Sequence, residues 1–518
     1  MAVHSVQIAV LVLAAGQGTR MRSKTAKVLH QIAGRPMLSY PLAAAEALDP
    51  DRLVVVVGPG AGEVREEFGG RATFVDQLEQ KGTGHAVLSA RKALSGFSGD
   101  VLILYGDTPL LRPETLLRMV DFKEKRRAEL VVLTAPIDVP GIVMRDEHGG
   151  VARIVEATDA TPEELTIEER NTGVYLVSWD LLWSTLARVG NDNAQGETYL
   201  TTIVEMAVAE GHRVEAVTLD DASEALGVNT RVELAIAAEA VRKRINERHM
   251  REGVTLVDPA NTYIDAAVEI GPDTLIEPGC VIQGESKLGE GVHIKPNCHI
   301  ESSVLSDGTV IGPSAHLRPD CVLGRNVRIG NFVEVKNSNL GDGCKVDHLS
   351  YVGDADVGEG VSFGCGSIVV NYDGIAKHRT TVGDRAFVGC NSNLIAPVTL
   401  EPDSFVAAGS TVTHDVPEQS LAVARARQRN VEGWVARRPP KGGAPKPAPA
   451  DERSAPKKRT PAKKKSSRAP SRKKRTPAKK RKSKTSSRSK TTKKSPPKSS
   501  GKRSVKTSAS RRAPNRGR

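Results

Sequence analysis

The chain has 518 residues, enough for two or three domains, and its net charge of +13 conceals a division. Residues 441–518 hold 31 Lys+Arg against 2 acids, which leaves 43 basic and 59 acidic residues in 1–440, so the globular part is acidic and the overall charge does not describe it. No apolar run reaches membrane-spanning length, residues 1–13 lack the basic start and cleavage site of a signal peptide, and the six cysteines form no CxxC pair; the expectation is a soluble, cytoplasmic chain with reduced thiols.

Residues 5–14 read as a buried strand, followed by further aliphatic strands at 53–57, 101–105, 130–134 and 173–177. Helical stretches lie between them near 36–48, 84–94 and 113–127, an alternation that predicts a mainly parallel, Rossmann-like α/β sheet over residues 1–229. Leu234, Ala238, Val241 and Ile245 then recur at helical spacing, predicting a linking helix over 230–252.

Directly after the first strand comes Leu13-Ala14-Ala15-Gly16-Gln17-Gly18-Thr19-Arg20-Met21. Small residues there let backbone N–H groups approach a phosphate or a base, and Arg20 adds charge. Met21 stands where a dinucleotide fingerprint needs glycine, so a nicotinamide cofactor is disfavoured. This segment with Lys27-Val28-Leu29 resembles the nucleotidyltransferases that join a sugar 1-phosphate to a nucleoside triphosphate. Gln77 and Gly82-Thr83-Gly84-His85-Ala86 resemble their uracil-reading segment, and Tyr105-Gly106-Asp107-Thr108-Pro109-Leu110 their metal segment. Asn171-Thr172-Gly173 and Gly227-Val228-Asn229 complete the set. The resemblance implies that Asp107 and Asn229 hold Mg²⁺, a hard cation that accepts few protein oxygens and keeps its waters. Arg20 and Lys27 would neutralise the triphosphate. The remaining nucleotide and sugar contacts would come from Leu13, Ala14, Ala15, Gly16, Gln77, Gly82, Thr83, Tyr105, Gly106, Gly141, Glu156 and Asn171.

From residue 264 an aliphatic side chain recurs every six residues: Ile264, Ile270, Ile276, Ile282, Leu288, Ile294, Ile300. The beat slips by one residue and resumes at Leu305, at Leu340 and at Val357, and after an interruption following Val369 it runs from Val382 to Val412. A helix or a flat strand has no such period, whereas a parallel β-helix does, with one inward side chain per short strand. Cys280, Cys298, Cys321 and Cys344 stand two residues before a beat, where small buried side chains are expected; Cys365 and Cys390 complete the six. This part resembles the hexapeptide-repeat transferases, which implies a left-handed parallel β-helix, here over 253–436.

Within the coils stand Leu317-Arg318-Pro319, Asn331 to Lys336, Asp347 to Ala355, and, in the interruption, Asn371-Tyr372-Asp373-Gly374. With Glu432-Gly433-Trp434 after the last coil, residues 5–436 resemble the family of bifunctional N-acetylglucosamine-1-phosphate uridyltransferase/glucosamine-1-phosphate N-acetyltransferases. The resemblance implies that His348 is the general base, for which an imidazole titrating near neutrality is suited. Arg318, Lys336, Tyr351 and Asn371 would hold glucosamine 1-phosphate, and Cys365, Asn371, Tyr372, Cys390, Ala408 and Arg425 would line the acetyl-CoA site. It also implies a homotrimer with an acetyl site shared between subunits. The chain departs from the family pattern at Pro140 to Met144, where Gly-Tyr-Gly-Arg is usual, and at Thr202, Ser362, Cys365 and Cys390, where Asp, Asn, Ala and Ser are. Two other readings remain: a nucleotidyltransferase whose β-helix is only a scaffold, and a polyanion-binding protein led by its tail.

The segment 437–518 is expected to be disordered. Residues 441–518 contain no aromatic residue, Ile, Leu or His, and repeat Lys-Lys-Arg-Thr-Pro-Ala-Lys-Lys at 457–464 and 473–480. Such a tail can contact nucleic acid or another polyanion through charge alone, without the aromatics that stack on bases.

Overall fold

The computed structural model describes residues 7–438. The basic extension beyond them lies outside the described residues. One compact unit runs to Arg429.

Its first part is built on β1 (Ile8–Ala14), α1 (Ser39–Glu46), β2 (Arg52–Val57), α2 (Gly62–Phe68), β3 (Thr73–Asp76), α3 (Thr83–Ala90), β4 (Asp100–Tyr105) and α4 (Pro113–Arg126). There follow β5 (Leu130–Pro136), β6 (Gly141–Arg145), β7 (Val151–Glu156), β8 (Glu169–Ser178), α5 (Trp179–Leu186), α6 (Thr202–Ala209) and β9 (Val214–Thr218). The sheet order is β9-β5-β8-β4-β1-β2-β3, with the β6–β7 hairpin attached through β8. β1 is apolar throughout because both its faces are covered: Ile8, Val10 and Val12 join one core, Ala9, Leu11 and Leu13 the other. β8 runs antiparallel to both β4 and β5, an exception to the parallel pattern that β-branched composition cannot announce.

α7 (Arg231–Arg251) begins with a capping box in which Thr230 accepts from the Glu233 N–H and the Glu233 carboxylate accepts from the Thr230 N–H. Val241 and Ile245 are buried from it, with Ala237 in place of Leu234 and Ala238, which are only partly covered.

The coils begin at Thr255 and their three parallel sheets carry, among the described residues, 10, 9 and 8 strands. This is the parallel β-helix that the six-residue period predicts, with the left hand that the resemblance to hexapeptide-repeat transferases implies. Ile264 stacks on Ile282 and Ile282 on Ile300, 18 residues per coil, while Ile300 stacks on Leu317 because one corner is a residue shorter. All three slips of the beat fall at that same corner, between the nine-stranded face and the eight-stranded face. The interruption after Val369 is an excursion from this corner too. Cys280, Cys298, Cys321 and Cys344 are buried among the aliphatic rungs, and burial pushes the Cys321 and Cys344 thiols up to about 11.

Candidate active sites

The parallel strands of the first part end around a cleft of about 250 Å³ lined by Leu13, Ala14, Ala15, Gly16, Lys27, Gln77, Gly82, Thr83, Tyr105 and Asp107, all anticipated from sequence. It lies at the carboxyl ends of β1 and β4, where α/β sheets expose their ligands. Sequence reasoning missed Gln80, whose amide donates to the Ala15 carbonyl at 2.5 Å, and the wall residue Glu197, while Val28 and Ala86 of the quoted motifs also line the cleft. Gly18 has φ +63°, and a Cβ there would stand 2.7 Å from Lys27 Cβ, so glycine is what lets the loop lie against Lys27. The Gln77 amide donates to Gly82 O at 3.2 Å, which fixes the turn that opens α3. Gly106 lies outside the lining and donates its N–H to Leu13 O at 2.9 Å, joining the ends of β1 and β4.

Three residues far apart in the chain meet at the floor. The Lys27 ammonium pairs with the Asp107 carboxylate and donates to Asn229 Oδ1 at 3.0 Å, with only 9% of its side chain exposed. Asn229 is held from behind: its N–H donates to Glu233 of the capping box at 2.6 Å, and the adjacent Val228 N–H donates to the Asp107 carbonyl at 2.8 Å. Two oxygen donors of the hard kind thus converge on one positive charge, a set that fits a divalent cation retaining water and phosphate ligands. Arg20 stands exposed on the short turn 19–21, outside the cleft lining.

Beyond Tyr105 lies a second cluster. Gly141 pairs in register with Glu156, and a Cβ on Gly141 would stand 3.0 Å from Asn171 Cβ. Asn171 donates to the Tyr175 hydroxyl at 2.6 Å, and a Cβ on Gly173 would collide with the Tyr105 ring. Burial pushes the Glu156 carboxyl above its usual range, although the Thr201 hydroxyl donates to it at 3.3 Å. Burial also raises Tyr105, with Asp107 and Glu156 adding to the shift. The departure at Pro140 to Met144 leaves Gly141 in this cluster.

On the β-helix the expected residues fall into two sets. Asn331 stacks in register beneath His348. Backbone bonds from Gly366 to His348, Asn391 to Cys365, and Gly409 to Cys390 carry the same corner upward through Cys365, Cys390 and Ala408. His348, Cys365, Cys390 and Ala408 therefore form one ladder, with rungs about 4.8 Å apart. Arg425 caps it, donating to the Ala408 carbonyl at 2.7 Å. His348 Nδ1 lies 2.6 Å from Asn331 Oδ1; with the amide oxygen as acceptor, the ring proton sits on Nδ1 and Nε2 is the basic nitrogen. Asn331 was in the motif but its orienting part was not foreseen; its spacing of 17 from His348, one short coil, is the signal. Phe332 and Leu349, at φ +55° and +48°, turn this corner in the left-handed region that bulky residues avoid, and they are 62% and 58% exposed.

At the other end of the nine-stranded face, Arg318 and Lys336 occupy successive coils, since Leu317 pairs with Val335. Arg318 contacts Glu334 at 3.0 Å. Lys377, on the excursion after Val369, lies beside Lys336 and lowers its pKa. Three cations thus gather here, with Glu334 and Asp354 beside them, and Lys377 was not anticipated. Asn371, buried, donates to the Tyr351 hydroxyl at 3.2 Å and also bonds Asp354. Tyr372 is exposed and donates to Gly374 O at 2.8 Å within the excursion, which Asp373 braces by accepting from the Ile375 and Ala376 N–H groups at 2.7 Å each.

Both architectures are those of transferases. Residues 10–164 match the family described as MobA-like NTP transferase domain, and 267–302 and 302–337 match the bacterial transferase hexapeptide, so a nucleotidyltransferase is joined to a hexapeptide transferase. The chain is 49% identical over 449 residues to "Bifunctional protein GlmU" of Pelobacter propionicus, covering 82% of this chain and 98% of that protein. It is 49% identical over 446 residues to the protein of that name from an Exiguobacterium species (82% and 99%), and 46% over 445 residues to that of Listeria innocua (82% and 97%). The chain belongs to the bifunctional GlmU family and is an enzyme with two transferase centres. Among the described residues no helix is long and apolar enough to cross a membrane.

Proposed function

We propose that the two centres make UDP-N-acetylglucosamine in successive steps. On the β-helix, Nε2 of His348 takes a proton from the amine of glucosamine 1-phosphate as that amine attacks the acetyl-CoA thioester. The new N–C bond forms, the C–S bond breaks, and coenzyme A leaves as a thiol. Arg318, Lys336 and Lys377 anchor the sugar phosphate, Tyr351 and Asn371 contact the sugar, and the ladder Cys365, Cys390, Ala408 with Arg425 and Tyr372 receives the acyl donor. In the cleft the phosphate of N-acetylglucosamine 1-phosphate attacks the α-phosphorus of UTP and pyrophosphate leaves. Gln77, Gly82 and Thr83 hold the uracil; Gly141, Glu156 and Asn171 hold the sugar; Arg20 and Lys27 offset phosphate charge. Asp107 and Asn229 would hold Mg²⁺, which when bound screens the charge of the triphosphate.

The observation that carries the reading is the meeting of Lys27 with Asn229, 202 positions away, at the same point as Asp107. It is tested with the full chain and UTP: N-acetylglucosamine 1-phosphate should yield pyrophosphate at once, glucosamine 1-phosphate only when acetyl-CoA is added, with thiol released in step. Pyrophosphate formation without any thiol release would make the β-helix a scaffold.

The open ladder supports a homotrimer in which a neighbouring copy supplies the missing wall, and the enzyme works in the cytoplasm. The basic extension binds polyanions without sequence preference. Retention on heparin resin that survives deletion of 441–518 would refute that last point.

A further inference from the structure

The two thiols outside the β-helix core occupy adjacent rungs of one corner. Cys390 is exposed and Cys365 half-buried, whereas Cys280, Cys298, Cys321 and Cys344 are enclosed. Phe363 pairs with Val388, which sets Cys365 directly below Cys390 two residues later. The Asn391 N–H donates to the Cys365 carbonyl at 2.8 Å, so the stacking continues through the corner itself. In-register neighbours of a parallel sheet stand about 4.8 Å apart at Cα, inside the span of about 4.4–6.8 Å that a disulfide bridges. The Cys390 side chain leans over the lower coil: a Cβ placed on Gly364 would lie 2.9 Å from Cys390 Sγ. Gly364 and Gly366 flank Cys365, and Gly389 precedes Cys390, so the corner backbone can adjust at both rungs.

We propose that Cys365 and Cys390 form an oxidisable dithiol that hydrogen peroxide closes into a disulfide, switching off acetyl transfer while leaving uridylyl transfer running. The thiolate of the more exposed Cys390 attacks one peroxide oxygen; an S–O bond forms, the O–O bond breaks, and the leaving hydroxide is protonated to water. The Cys365 thiol then attacks the sulfenic sulfur; the S–S bond forms, the S–O bond breaks, and a second water leaves. Two thiols lose two electrons and the peroxide is reduced to two waters. The disulfide lies across the ladder between His348 and Ala408, where the acyl donor runs in the proposed function, on which this part of the inference rests. A thiol reductant reopens it.

The test uses the full chain treated with hydrogen peroxide and then freed of it. Peptide mass mapping should find Cys365 joined to Cys390. Acetyl transfer should fall at least tenfold against the untreated sample, pyrophosphate release from N-acetylglucosamine 1-phosphate should be unchanged, and dithiothreitol should restore the loss. Cys365→Ala and Cys390→Ser proteins, each compared with its own untreated sample, should lose none of their remaining acetyl transfer through a cross-link. Absence of the cross-linked peptide, a cross-link with acetyl transfer intact, or equal loss of both activities would each overturn the proposal. If the untreated chain released no thiol from acetyl-CoA, the proposed function would fail while the cross-link was still read by mass.

Discussion

The cleft and the ladder solve opposite problems. In the cleft, side chains from distant loops converge, and each is braced by backbone: Asn229 by a capping box, Asp107 by the Val228 N–H, Lys27 by the approach of Gly18. On the β-helix no convergence is needed, because register alone repeats one corner from coil to coil. In the cleft Lys27 is nearly buried, whereas His348 on the β-helix stands exposed. A converging site is exposed to the displacement of any one loop, whereas a stacked site depends on the register of its coils.

The comparison breaks first at the imidazole. His348→Ala should reduce thiol release from acetyl-CoA by about 10²–10⁴-fold, the range for a lost general base, with pyrophosphate release from N-acetylglucosamine 1-phosphate unaffected. Asp107→Ala should do the reverse, lowering pyrophosphate release by about 10²–10³-fold, the range for one lost preorganised electrostatic group, while thiol release continues. Loss of both activities in either folded protein would mean that the centres are not separate.

Smaller effects sharpen the contrast in fragility. Gly173→Ala puts a Cβ into the Tyr105 ring at a backbone φ of +83° and should destabilise the protein by about 3 kcal/mol, seen as a lower melting temperature. Glu156 gives the smallest effect. Burial raises its folded pKa, so the folded protein favours the protonated carboxyl; stability is greatest below the ordinary carboxyl pKa and declines as pH rises through the raised one. Glu156→Gln, a neutral isostere, should therefore raise Tm by about 1–2 °C at pH 8 and not at pH 4. A stabilisation that persisted in acid would contradict the burial argument.

The same contrast decides what the sequence makes legible. The β-helix is readable because coil geometry imposes one inward aliphatic every six residues, and its shortened corners appear as slips of the beat. The loop after β1 is readable because Gly18 serves a close approach to Lys27. Strand direction is not written in composition: β8 carries β-branched residues as the strands beside it do, yet runs against them. Nor were β6, β7, β9 or the strand at Thr73–Asp76 visible, being short or half-exposed. Gln80, Lys377 and the orienting part of Asn331 escaped because each matters through a neighbour in space: a carbonyl across the cleft, an ammonium on the preceding coil, an imidazole one coil up.

The central claim is that two separate centres are joined in one chain and linked by a released sugar phosphate. His348→Ala and Asp107→Ala proteins, each unable to make UDP-N-acetylglucosamine from glucosamine 1-phosphate, acetyl-CoA and UTP, should make it when mixed in one tube with Mg²⁺, because each supplies the step the other lacks. No product from the mixture, with both proteins folded and each retaining its remaining activity, would contradict the account.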